Sequence, residues 1–323
     1  MYGIIIFLLC SFTLYLLWWS LYDLFYSCCA LFLRKQELAK NNREFFYIVI
    51  PALNEGEVLF NTIEKALAVK YPRDKFEVIL LAQSIDISIL EKLRRYPIQI
   101  IESGPLGSKM NAIRNWLNGV EVNDESIFIV DADNELLPNA LSVCSHAMQS
   151  TNCAQLARKK TAPRSPLGIL DRWNTEVGIA IAIHSRIVMS MHPFIVGSGF
   201  GIKAKLYSRL LYMLNIFRRP IQAWMYISHR VLRWSITAFT LPLLYLLNAF
   251  SLDSSSAFLI TLFIGQSIFY FIALLAHQFR DKSLPGPVLI MYYFVLMNYA
   301  VIAGFLRFIG GKQGGAWERS VRK

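Results

Sequence analysis

The chain has 323 residues, 55% of them hydrophobic, and its 33 Lys and Arg against 22 Asp and Glu give a net charge of +11. A mean hydropathy of +0.40 exceeds that of a soluble domain, which is roughly half apolar, so an ordinary water-soluble protein is excluded. No nucleic-acid-binding motif accompanies the basic balance, which points instead to anionic lipid headgroups and phosphorylated substrates.

Gly3–Leu33 is almost wholly apolar, broken by one charge at Asp23. A bilayer span needs about 20 such residues. No basic start and no small-residue cleavage site marks a signal peptide, so the stretch predicts an uncleaved transmembrane helix. Arg34 and Lys35 follow it directly. By the positive-inside rule they put the next region on the cytoplasmic side of a multi-pass plasma (cytoplasmic) membrane protein.

The middle of the chain is mixed in polarity. Phe45–Ile50 is an apolar run of strand length ended by Pro51, and residues 55–71 carry Leu59, Ile63, Ala66 and Leu67 at helical spacing. A strand over 76–82, a helix over 88–96, a strand over 98–103, a helix over 107–120 and a strand over 126–133 follow. This alternation predicts an α/β domain, a mostly parallel sheet with helices on both faces, flanked by transmembrane helices at both ends. Ligands of such sheets bind beyond the carboxyl ends of the strands. Residues 51–55, 82–86 and 131–135 sit at those ends.

The last of these holds three acids, Asp131, Asp133 and Glu135. Carboxylates this close repel one another unless something positive sits among them. A hard divalent cation is one answer, because it takes oxygen ligands and bridges to phosphate. The alternative is that the acids cap the turn or helix that follows, at "NELLPNALS".

Further on, residues 217–234, "FRRPIQAWMYISHRVLRW", mix arginines with aromatics as a helix lying in the membrane plane does. Three apolar stretches close the chain, at Trp234–Phe250, Ala257–Ala276 and Val288–Ile309. Three C-terminal spans put the basic tail outside, against the charge rule, and one re-entrant or interfacial segment would remove the conflict. The predicted organisation is a membrane helix at 1–33, a cytoplasmic domain at 34–214, an interface helix at 215–233, three membrane segments at 234–309 and a basic tail at 310–323. The five cysteines, at 10, 28, 29, 144 and 153, have no metal-like spacing and read as reduced.

"IVIPALNE", "GSKMNAIRN", "DADN", "VGSGFGI" and "HRVLRW" occur in this order. Together they resemble the membrane-anchored, inverting family 2 glycosyltransferases of polysaccharide biosynthesis, the group that contains cellulose and hyaluronan synthases. The likeness spans about residues 44–234. It implies a Rossmann-like GT-A domain and an inverting hexosyltransferase-type enzyme. Its donor would be a nucleotide sugar and its acceptor lipid-linked or a glycan, at the cytoplasmic membrane face. Pro51, Asn54 and Glu55 would wall the donor pocket, with Gln83 near the base, and Lys109 would approach the donor. Asp131 and Asp133 would match the D-x-D pair that binds Mg2+ or Mn2+ and the diphosphate. Gly197, Ser198 and Gly199 would match the loop near the acceptor. Arg233 would meet the diphosphate and Trp234 would stack on the acceptor, with Arg230 where relatives carry Gln. Membrane lipids would be partners, nucleic acid would not, and a homo- or hetero-oligomer is compatible with the reading.

The plainer alternatives for these residues are a solvated lysine at 109, a plain turn at 197–199 and a membrane-interface anchor at 230–234. Two departures stand out. Relatives end the second strand in Asp-rich text that contacts the nucleobase, where this chain has "LAQSIDIS", leaving Gln83 or Asp86 to substitute. Relatives also carry an acidic base after the Gly-Ser-Gly loop, yet no Asp or Glu lies between Glu176 and Asp253. His184, His192, His229, Asp171 and Glu176 are the nearest stand-ins, none of them assigned as catalyst. The catalytic base is therefore unknown. A non-catalytic subunit that binds a nucleotide sugar or a partner enzyme is the competing reading, with a small transporter a remote third.

Overall fold

The computed structural model describes residues 2–32, 43–103, 109–121, 123–156, 165–179, 183–184, 188, 198–207, 236–252, 256–280, 282 and 284–311. The chain divides into two compact units, one of residues 34–158, 193–214 and 315–323, the other of 1–33, 159–192 and 215–314.

Among the described residues, the first unit is built on six strands: β1 (Phe46–Leu53), β2 (Phe76–Gln83), β3 (Gln99–Ser103), β4 (Ser126–Ile129), β5 (Cys153–Gln155) and β6 (Phe200–Lys203). Their order is β3-β2-β1-β4-β6-β5. The first four run parallel, and β6 is antiparallel to both β4 and β5. Side chains alternate along each strand. Ile48 and Ile50 face Leu59 and Ile63 of α2 (Val58–Leu67), Leu90 and Leu93 of α3 (Ile87–Leu93), and Leu141 of α5 (Ala140–Met148). Val49, Ile79 and Ile127 face the other way, against Ile113 and Trp116 of α4 (Lys109–Asn118). Both faces are covered, which is why these strands read as continuous apolar runs.

Two strand ends differ from the sequence reading, and two strands are additional to it. β1 does not stop before Pro51 but runs through it to Leu53. Backbone groups alternate sides, so Pro51 faces the same neighbour as Val49, whose carbonyl accepts from Val130 N at 3.0 Å. The ladder with β4 has ended there, so the missing proline N–H is not needed. β4 itself ends at Ile129 rather than 133, because Asp131–Asn134 closes into a turn, with Asn134 N on Asp131 O at 3.0 Å. β5 and β6 were unforeseen, and β6 begins directly after the residues expected to form a small-residue loop, 197–199.

β6 packs tightly over α5. A Cβ added at Gly201 would collide with Cys144 Sγ and stand 3.1 Å from Met148 Sδ. At the amino edge of β4, Lys203 Nζ lies 2.7 Å from Glu44 Oε2, which also accepts from Ser126 Oγ at 3.0 Å. Burial works against the charge on Lys203. The hydrogen bond and charge of Glu44, then those of Asp124, outweigh it and hold the ammonium's pKa above its ordinary 10.5. All five cysteines are free thiols. Burial pushes the Cys144 thiol well above its ordinary range and Cys153 up to about 12.

The second unit is helical: α1 (Tyr2–Ala30), α6 (Pro166–Ile179), α7 (Thr237–Phe250), α8 (Ala257–Gln278) and α9 (Gly286–Ile309). The spans Gly3–Ala30, Ala257–Gln278 and Gly286–Ile309 are long and apolar enough to cross a membrane. The 14 residues of α7 rise about 21 Å, short of a hydrocarbon core of about 30 Å. Polar side chains between the helices find partners. Tyr245 and Ser267 hydroxyls meet at 3.1 Å, and His277 Nδ1 lies 3.1 Å from Tyr292 Oη. The expected interface helix at 215–233 lies outside the described residues.

Two outcomes follow from the sheet unit. Gly201→Ala is expected to lower stability by about 1–3 kcal/mol through overpacking. Gly56→Ala, where a Cβ meets nothing within 4 Å, should stay within about 0.5 kcal/mol of the parent. Denaturant midpoints of the two variants check this. Because the folded-state pKa of Lys203 is raised, the stabilisation it reports is complete below pH 10.5 and lost as pH climbs through the raised value. Unfolding measured on both sides of that pH should show the loss, and Glu44→Gln should flatten it.

Candidate active site

The strand order reverses between β1 and β4, since β1 leads to β2 and β3 on one side and pairs with β4 on the other. Parallel sheets open a ligand crevice at such a point. The exits of β1 and β4 therefore define the candidate site.

On the β1 side, Asn54 and on the β2 side Ser84 both have φ of 50°, the left-handed region that few residues other than Gly and Asn enter readily. Asn54 N donates to Gln83 O at 2.9 Å, which ties the two exits together. Pro51 and Glu55 are half-buried and Asn54 is exposed. Gln83 is buried, at 4% exposure. Asp86, the other candidate for the nucleobase, is committed elsewhere. It caps α3, accepting from Ser88 N at 2.8 Å. Hydrogen bonds from the Ser88 hydroxyl and amide hold its carboxyl below the usual range.

On the β4 side each of the three acids has its own surroundings. Lys109, the first residue of α4, places its ammonium on Asp131 Oδ1. Glu135 is drawn away toward α2, where Asn61 Nδ2 donates to it at 2.8 Å. Asp133 is exposed at the tip of the turn. None of them caps α5, whose N-cap is Asn139 with no side-chain cap bond. The positive partner demanded by the acid cluster is, in this structure, Lys109.

The turn is held from beneath. Ser198 is fully buried, and its Oγ accepts from Asp131 N at 2.8 Å and from Asn134 Nδ2 at 2.7 Å. Thr62 Oγ1 donates to Ala132 O at 2.7 Å. Gly199 has φ of 72°, a conformation that favours glycine. It hands its N–H to Ile129 O at 2.8 Å and accepts from Leu156 N at 2.9 Å. Gln155 Nε2 donates to Ser198 O at 3.1 Å and Gly199 O at 3.0 Å. The 198–199 pair thus forms the floor of the acidic turn. Gly197, Arg230, Arg233 and Trp234, with His192 and His229, lie outside the described residues.

Asn134, Thr62 and Gln155 were not foreseen. Asn134 alone carried a signal, its place directly after the acid pair; Thr62 reaches the turn from 70 residues upstream, and Gln155 reaches the floor beneath it from a short strand across the sheet. In the helical unit, Glu176 pairs with Arg172 Nε at 2.8 Å, and Asp171 Oδ1 lies 3.4 Å from the Tyr293 hydroxyl. Burial lowers the pKa of His184.

Among the described residues no group of three His, Cys, Asp or Glu side chains could cage a metal. Two neighbouring carboxylates on a strand exit do suit a hard cation that completes its shell with substrate phosphate.

Residues 43–190 match the model of a family described as glycosyltransferase like family 2. No curated protein matches the chain. Among solved structures, the mannosyltransferase PcManGT from Pyrobaculum calidifontis, in complex with GDP-Man and Mn2+, superposes with a TM-score of 0.55 at 15% identity, over 97% of this chain and 99% of its own. At that identity the likeness is one of fold, an α/β GT-A-like domain with apolar helices toward both ends. Two structures of S. aureus TarS align with TM-scores of 0.31 and 0.32 at 17% and 16% identity, over 38% and 51% of this chain and 23% and 48% of theirs. Those scores are too low to bear on the fold.

Ser198→Ala takes the acceptor from two donors at once and is expected to cost about 1–3 kcal/mol. The Asp131 amide should then exchange with solvent faster than in the parent, a readout that distinguishes loss of the floor from general loosening.

Proposed function

From a glycosyltransferase family 2 domain over residues 43–190, we propose that the chain is an inverting membrane glycosyltransferase. It moves a sugar from a nucleotide-sugar donor to a lipid-linked or glycan acceptor at the cytoplasmic face, in a single transfer. The observation that carries this reading is the acidic turn at the exit of β4, pinned by Ser198 and faced by Lys109. The fold neighbour in complex with GDP-Man and Mn2+ supports the donor class and the ion.

Asp131 and Asp133 would hold Mg2+ or Mn2+. Bound there, the ion would supply positive charge against the leaving diphosphate. Ser198 and Thr62 keep the turn rigid, so the carboxylates meet a donor without first being ordered. Lys109 neutralises Asp131 and offers a second positive charge beside the diphosphate. Asn54 and Glu55, beyond the β1 exit, would form the opposite wall of the donor pocket. Gln83 remains for the base after Asp86 is used as a cap. Arg233 would meet the diphosphate and Gly197 and Trp234 the acceptor.

One observation favours the competing reading, a donor-binding subunit without turnover. The chain has no Asp or Glu between Glu176 and Asp253, and Glu176 is engaged by Arg172. Inverting transfer needs a base for the acceptor hydroxyl.

Calorimetry of the purified chain against UDP- and GDP-linked sugars separates the readings. Binding that requires Mn2+ and vanishes with chelator is expected, together with transfer or donor hydrolysis. Asp133→Ala should lower turnover by about 10²-fold or more, since the ion's charge stabilisation is worth several kcal/mol. Binding without any turnover selects the non-catalytic subunit. Indifference to every nucleotide sugar, with manganese or without it, refutes both.

A further inference from the structure

α6 belongs by sequence to the segment between β5 and β6, yet it is part of the helical unit and packs against α9. Ile169, Trp173 and Val177 are 44%, 58% and 49% exposed. At 100° per residue they fall within one narrow arc of the helix. One border of that arc holds the Arg172–Glu176 pair and the other holds Asn174. Three large apolar side chains in one exposed stripe, one of them a Trp, are costly to leave in water.

The depth of α6 is fixed by its contact. Asp171 lies against the hydroxyl of Tyr293 at 3.4 Å. Tyr293 is seven residues from Gly286, the first residue of α9, or about 10 Å along the axis. The 24 residues of α9 rise about 36 Å against a hydrocarbon core of about 30 Å, so the helix overhangs by about 3 Å at each end. Tyr293 then stands roughly 7 Å below the edge of the core. Interfacial helices lie about 5–10 Å into the boundary between headgroups and acyl chains, with Trp favoured there.

We propose that α6 lies in the bilayer interface, with Ile169, Trp173 and Val177 sunk into lipid. The two charges that border the arc, Arg172 and Glu176, pair with each other, and the third charge of the helix, Asp171, accepts a hydrogen bond from the Tyr293 hydroxyl on the side that meets α9. The occupant of the stripe is lipid rather than protein because the helix rests on a candidate span whose own side chains near the contact are apolar and open: Ile290 and Phe294 of α9 are 55% and 42% exposed. The inference rests on α9 crossing a membrane.

The test uses the full chain in phosphatidylcholine–phosphatidylglycerol nanodiscs, with the exposed Cys10 and Cys28 and the half-buried Cys29 replaced by Ala. The retained Cys144 and Cys153 are poor nucleophiles because burial raises their pKa values. Trp173→Cys and, separately, Val177→Cys receive a bimane label. Phe294→Cys on α9 and Glu91→Cys on the exposed side of α3 are references. Spin-labelled lipid should quench positions 173 and 177 several-fold more than position 91, aqueous iodide should do the reverse, and a shallow spin label should outperform a deep one. Iodide quenching at 173 and 177 like that at 91 overturns the proposal. So does shielding from both quenchers, which would mean a protein surface covers the stripe. If position 294 also reports water, the membrane reading of α9 fails, whereas lipid contact at 294 with water at 173 and 177 sinks the α6 proposal alone.

Discussion

A carboxylate at the end of a buried strand must find a positive partner, and Asp131 finds Lys109. The pair is about one-third exposed on each side, so it contributes about 1 kcal/mol or less to stability. Its weight lies in placement. A lysine at the first turn of α4 adds nothing to the helix dipole, which favours anions there, and so it is there for the acid and not for the helix. The remaining two acids are handled by separation. Asn61 draws Glu135 toward α2, and Asp133 stays at the water-facing tip of the turn. A cluster that looked like one repulsive group becomes three solved problems, and the solution leaves two carboxylates at the switch point of the sheet.

What keeps that arrangement rigid is the antiparallel edge of the sheet. Four parallel strands could carry the acids but could not brace them, because each parallel connection leaves the site by way of a helix. β6 runs the other way, so the chain that enters it passes directly beneath the exit of β4. Ser198 and Gly199 arrive there with a buried hydroxyl and a left-handed glycine. One strand over, Gln155 locks the entering loop to β5. The tight seat of Gly201 over Cys144 fixes the height of β6, and through it the height of the hydroxyl that bonds Asp131.

The parallel half of this fold was legible because burial on both faces writes itself as uninterrupted apolar runs, as in Val78–Ala82 and Ile127–Val130. The antiparallel half was not. β5 and β6 have three and four residues, too few to show a period, and glycines at 197, 199 and 201 resemble a turn as much as a strand. Proline misled in the opposite direction at position 51, since only the neighbour's early end makes it tolerable inside a strand. Of the candidate site, Asp131, Asp133, Lys109 and Ser198 can be named from the sequence, but the hydrogen bonds of Ser198 to Asp131 and Asn134 cannot. Thr62 and Gln155 were invisible, because a hydrogen bond across 70 residues or across a sheet leaves no spacing to read.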